Sequence, residues 1–185
     1  MKKIILFLAI ISLVGCKDKG LGAGYFYLSS QEAADIGYPY GSIIYRSNDK
    51  YIYKDISVFA NITRIKSIRE IVMIEQTPNK TLLAKLIQDD ITFWNQHFTK
   101  TKKDSLVKIA GEEIYLTDLP KNIKIDSTVN DFINNSHRLS VMLKNETNYY
   151  ILDIGNKTLS KPLTSHEFNI ECKNKGISDR VRELW

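Results

Sequence analysis

The sequence predicts an α+β domain: a mainly antiparallel sheet built from hairpins, one longer amphipathic helix over about 78–99, and a capped C-terminal helix over about 165–175. Three observations predict it. β-Branched and aromatic runs broken by short polar turns fill residues 25–76. Leu83, Ile87, Ile91, Trp94 and Phe98 then recur every three or four residues, the stripe of an amphipathic helix. Thr164 with Glu167 makes a capping box, and Leu163 with Phe168 the matching hydrophobic staple. Strands and helices do not alternate regularly, which argues against a doubly wound parallel sheet.

Taken in order, 42–46 and 51–54 flank Ser47-Asn48-Asp49-Lys50 as a hairpin, and 56–60, 62–66 and 70–75 continue as strands. Residues 29–37 read as one helical turn. Thr77-Pro78 opens the long helix, since proline suits the first helical position. Lys100, Lys102 and Lys103 follow its end, where cations complement the helix dipole. A second hairpin joins 106–110 to 114–116 through Gly111-Glu112-Glu113. Residues 127–135 form a short helix capped by Asp126 or Ser127. Residues 137–144 and 149–154 are expected as strands, and Gly176 ends the final helix. The 43% hydrophobic and 25% charged content excludes a chain disordered throughout, and two cysteines exclude a disulfide-dense scaffold.

The amino end is a targeting segment. Lys2 and Lys3 precede apolar residues 4–14, broken only by Ser12, and Gly15-Cys16 follows. Leu13-Val14-Gly15-Cys16 resembles the lipobox of bacterial lipoprotein precursors, which implies a diacylglyceryl group on Cys16 and cleavage after Gly15. The expected organisation is a signal peptide over 1–15, a lipid anchor and flexible glycine-rich tether over 16–24, and one globular domain over 25–185. Removal of 1–15 takes Lys2 and Lys3 and leaves 24 basic against 21 acidic side chains, too mild a balance for nucleic acid. The expected address is the bacterial cell envelope outside the cytoplasm, with outer membrane or cell surface both open. Lys17-Asp18 only partly resembles the charged tag that sends some lipoproteins to the surface. Further on, Tyr149-Tyr150-Ile151-Leu152-Asp153, Pro162-Leu163-Thr164 and Phe168 resemble the closing strand, turn and helix of small bacterial lipoproteins grouped as a domain of unknown function. That resemblance implies an exported domain and assigns no activity.

No catalytic constellation stands out. His97, His137 and His166 lack the spacing of a zinc-protease helix, and Glu167 is engaged as a capping residue. Ser47 and Ser105 each precede a lysine by three residues, a match that chance accounts for in a chain this rich in both, and no nucleophile elbow is present. The adjacent pairs Asp89-Asp90 and Glu112-Glu113 diverge on regular elements, and Asp89-Asp90 reads as a solvated helix face. Cys172 lies four residues after Phe168 and reads as a buried apolar side chain. No cofactor or metal is expected.

Tyrosine is the compositional anomaly, with seven of ten between Tyr25 and Tyr53. Such rings either suit half-buried strands or form a contact surface for protein or sugar. Tyr38 and Tyr40, around Pro39, and Tyr51 and Tyr53, on one strand face, are the candidate binding residues. The sequence therefore points to a lipid-anchored envelope protein acting as a non-catalytic binding module for a protein or glycan. An envelope-polymer hydrolase whose residues converge only in the fold, and an accessory or immunity-type lipoprotein, are the alternatives.

Overall fold

A computed structural model describes residues 19–28, 41–45, 56–98, 105–119, 125–179 and 181. Cys16, Tyr38, Tyr40, Tyr51 and Tyr53 lie outside these residues, as do the helical turn expected over 29–37, the turn and strand over 47–54, and the lysines at 100, 102 and 103.

The fold is α+β. Strands β1 (Lys19–Gly22), β2 (Tyr25–Tyr27), β3 (Ile43–Tyr45) and β4 (Ile56–Val58) form one antiparallel sheet in that order. A second antiparallel sheet runs β10-β9-β6-β5, from β5 (Ile62–Ile68), β6 (Ile71–Gln76), β9 (Asn148–Asp153) and β10 (Thr158–Leu159). Strands β7 (Leu106–Ile109) and β8 (Glu112–Tyr115) stand apart as a two-stranded hairpin. Among the described residues the named helices are α1 (Lys80–Phe98), α2 (Ile125–Asn135), α3 (His137–Met142) and α4 (Ser165–Asn174), with a 3-10 turn over Leu116–Asp118.

Side-chain alternation explains the layering. Val72 and Ile74 of β6, with Tyr150 and Leu152 of β9, face Ile43 and Val58 of the first sheet. Met73 and Ile151 face the other way, onto Phe168 and Cys172 of α4. Both faces of the second sheet are thus covered, which is why β6 is nearly unbroken in its apolar character. The far side of the first sheet carries a larger core, where Leu28, Ile44 and Ile56 meet Leu83, Ile87 and Ile91 of α1, Val129 and Ile133 of α2, and Leu139 of α3.

Several expectations change. Helix α2 begins at Ile125, so Asp126 and Ser127 lie within it and do not precede it as caps, and the β7–β8 turn is Ala110-Gly111, which puts Glu112 and Glu113 in β8. The tether gives way over Lys19–Gly22 to strand β1, because Ala23-Gly24 is a two-residue turn with both φ positive (52° and 86°) that folds this segment back on β2. Residues 137–142 are helix α3, not strand: the Ser136 side chain accepts from the Leu139 amide and caps it, and Leu139 and Met142 share its buried face. The long helix is capped by Asn79, whose Oδ1 accepts from the Leu82 amide at 2.9 Å, so Pro78 lies just outside it.

The last helix follows its local signals. Thr164 Oγ1 accepts from the Glu167 amide while the Glu167 carboxylate accepts from the Thr164 amide at 2.8 Å. At its other end the Ile177 amide reaches the Cys172 carbonyl and the Gly176 amide the Lys173 carbonyl, both at 3.0 Å, with Gly176 at φ 66°. That pair of bonds is a Schellman closure. The Lys175 ammonium then meets Asp153 at 2.9 Å and ties the helix end to β9. The Asn156 amide and Lys175 hold the Asp153 carboxyl down to about 2.

Candidate functional site

The most distinctive surface is built around the β7–β8 hairpin. Its turn is Ala110-Gly111, both with positive φ (48° and 84°), so the strands keep their natural twist. The Leu116 amide donates to the Ser105 carbonyl at 2.9 Å, which makes Ser105/Leu116 a hydrogen-bonded pair. Alternation along an antiparallel ladder then makes Lys108/Glu113 and Leu106/Tyr115 the non-hydrogen-bonded pairs. Main-chain groups of Lys108 and Leu106 therefore point off the outer edge of β7, and those of Glu113 and Tyr115 off the outer edge of β8.

The two edges have different fates. On the β7 side, Trp94 Nε1 donates to the Lys108 carbonyl at 3.0 Å, and Asp90 Oδ2 accepts from the Ala110 amide at 2.7 Å. Asp90 and Trp94 are four residues apart, so one face of α1 holds this edge. From α3, Arg138 donates to the Ala110 carbonyl through Nη2 at 2.6 Å and pairs with Glu112 through Nε. Gly111 takes the left-handed φ that glycine favours, and an added Cβ would stand 2.9 Å from that Nη2, so the Arg138 guanidinium would have to shift. Along β8, by contrast, β7 is the sole strand partner among the described residues.

Asp90 corrects the expectation of a solvated acidic pair. Asp89 is exposed, but Asp90 is partly buried, and burial pushes its carboxyl up to about 6 against the opposing pull of the Ala110 amide. A carboxyl whose pKa folding raises stabilises fully below its unfolded value and loses that contribution as pH rises through about 6. Asp90→Asn keeps an oxygen for the Ala110 amide and never ionises. It is expected to match the wild type at pH 3.5 and exceed it by about 1–2 kcal/mol at pH 8, allowing for partial exposure. Urea midpoints at the two pH values check this; an equal effect at both would refute the assignment.

Beside the open edge runs a groove of about 610 Å³. One wall is β8 itself. The other presents Thr128, Asp131, Phe132 and Asn135, spaced i, i+3, i+4 and i+7 along one face of α2. Phe132 and Ile114 are partly buried against the core and give the groove an apolar floor. Tyr115, 52% exposed, stands at its mouth beside Leu106. Glu112, Glu113, Asp118 and Asp131 line it, with no lysine, arginine or histidine among the described lining residues. Arg138 and Lys108 reach Glu112 and Glu113 from outside the groove.

Of the other residues singled out from the sequence, those the structure describes are placed elsewhere. His137 and His166 are exposed on different helices, α3 and α4. Ser105 directly precedes β7 and Lys108 lies within it, so neither is on a helix. Cys172 is buried in the α4 core, where burial pushes its thiol up to about 11 and keeps it unreactive. Tyr25 packs edge-to-face on Tyr45 across β2 and β3, centroids 5.1 Å apart, so these two rings serve the sheet. Among the described residues no three histidine, cysteine, aspartate or glutamate side chains gather as a metal ion would require, and no helix is long and apolar enough to cross a membrane. Comparison with protein families, with curated proteins and with solved structures finds no match to the chain.

Proposed function

We propose that this chain is a bacterial envelope lipoprotein, held by acyl chains on Cys16, whose domain outside the cytoplasm binds a protein or glycan partner and catalyses no reaction. The observation that carries the reading is Leu13-Val14-Gly15-Cys16 set directly after two lysines and an apolar run of anchor-precursor length. Two acyl chains give firm attachment where one would be marginal. The binding role is supported by the tyrosines at 38, 40, 51 and 53 and by the groove along β8. It is supported too by the engagement of reactive side chains in packing: Asp90 on the hairpin turn, Glu167 in a helix cap and Cys172 in a core.

Fractionation of a bacterial host expressing the chain tests it. The wild type is expected in the detergent phase without residues 1–15, and a Cys16→Ser variant in the aqueous phase or with its leader retained. Identical processing and partition of the two would overturn the proposal.

A further inference from the structure

We infer that the groove between the open edge of β8 and α2 takes an extended peptide segment of a partner protein, added to β8 as a third strand and carrying lysine or arginine at alternate positions. Four observations converge on this. On the β7 side Trp94 holds the Lys108 carbonyl and Asp90 the Ala110 amide, whereas Glu113 and Tyr115 aim their main-chain groups away from β7 towards the groove. Such an edge is a template for strand addition, with main-chain bonds giving affinity and alternate side chains giving selectivity. The facing wall is one regular helix face, presenting Thr128, Asp131, Phe132 and Asn135 in a row. Its volume falls within the range of about 300–1,000 Å³ that ligand sites occupy.

Charge selects the occupant. Glu113, Asp118 and Asp131 set a negative rim on a chain that carries 24 basic against 21 acidic side chains once residues 1–15 are removed, so the groove opposes the sign of the whole molecule. Side chains of an added strand alternate between faces. One set meets the apolar floor at Ile114 and Phe132, and the other meets the acids. A sequence alternating cationic and apolar residues fits both.

This inference rests on the reading of the domain as a binding module. The probe is an eight-residue peptide alternating lysine and valine, titrated onto the full chain in detergent by fluorescence anisotropy. Saturable binding is expected, about tenfold weaker for the glutamate–valine counterpart and for a lysine–valine peptide N-methylated at every second residue. Glu113→Pro, which removes an outward amide that the hairpin does not use, is expected to cost about tenfold, and Glu113→Gln only a few-fold. Equal binding of the N-methylated peptide would reduce the effect to charge adsorption and overturn strand addition. Absence of binding at millimolar peptide would overturn the site altogether. N-methylation alters the ligand alone, so a hairpin disturbed by proline cannot imitate its result. The membrane partition of the Cys16→Ser pair does not depend on this groove, and the two proposals therefore fail separately.

Discussion

Replacing Gln76 by leucine is expected to cost about 3–5 kcal/mol, although leucine is the more apolar residue at a fully buried position. Gln76 ends β6 opposite Asn148 of β9, and its amide joins three parts of the molecule. Its Nε2 donates to the Phe59 carbonyl at 2.8 Å, and its Oε1 accepts from Asn148 Nδ2 and from the Tyr150 hydroxyl, both at 3.0 Å. Asn148 Nδ2 also donates to the Met142 carbonyl at 2.7 Å, so it keeps a partner in the variant. The Phe59 carbonyl and the Tyr150 hydroxyl keep none from this network, and each buried orphan costs about 1–3 kcal/mol. The phenol offers no relief by ionising, since burial holds its pKa well above the usual range. Adding Tyr150→Phe removes one orphan and is expected to restore about 1–2 kcal/mol. Denaturant midpoints of the two single variants and the double variant measure this coupling. A double variant no more stable than Gln76→Leu would show that the hydroxyl is satisfied elsewhere.

Such a network is invisible in a sequence. Glutamine and asparagine read as surface residues by type, and Gln76 and Asn148 are 72 positions apart. What was legible is what is local. The box at Thr164 and Glu167, the staple at Leu163 and Phe168 and the glycine stop at 176 all lie within about a dozen residues, and the helix formed between them. The stripe from Leu83 to Trp94 was equally clear, because about three turns of one period leave little choice. Residues 137–142 misled because Leu139, Val141 and Leu143 alternate as in a strand, whereas the Ser136 cap is a single hydroxyl. The segment from Lys19 misled because alternating glycines resemble a linker, yet Ala23-Gly24 is also a two-residue turn. The groove was missed for a different reason. Glu112 and Glu113 read as a diverging pair at a hairpin turn, and nothing local marks Asp118 or Asp131; only the fold brings Glu113 and Asp131 to one groove.

The second large effect is expected at Phe168, where alanine should cost about 3–5 kcal/mol by deleting a buried ring. Only 2% of Phe168 is exposed; it stacks on Tyr149 with centroids 5.0 Å apart and packs with Met73, Ile151 and Leu163. Helix α4 has ten residues, too few to persist alone in water. Its cap contributes only about 1 kcal/mol, so the packing of its apolar face decides whether it forms. Phe168→Ala should therefore weaken α4 more than the rest of the domain. Cys172, four residues on and 1% exposed, reports this directly. In a Cys16→Ser background it is the sole thiol, and a thiol reagent reaches it only when α4 lifts from β6 and β9. Labelling of Cys172 in Phe168→Ala is expected to accelerate a hundredfold or more under native conditions, as a loss of about 3 kcal/mol implies. Thr164→Ala should raise it by less than about tenfold. If both variants label alike, the Thr164 cap holds the helix down as much as the Phe168 ring does, and the account of α4 as a packed cover over the second sheet is wrong.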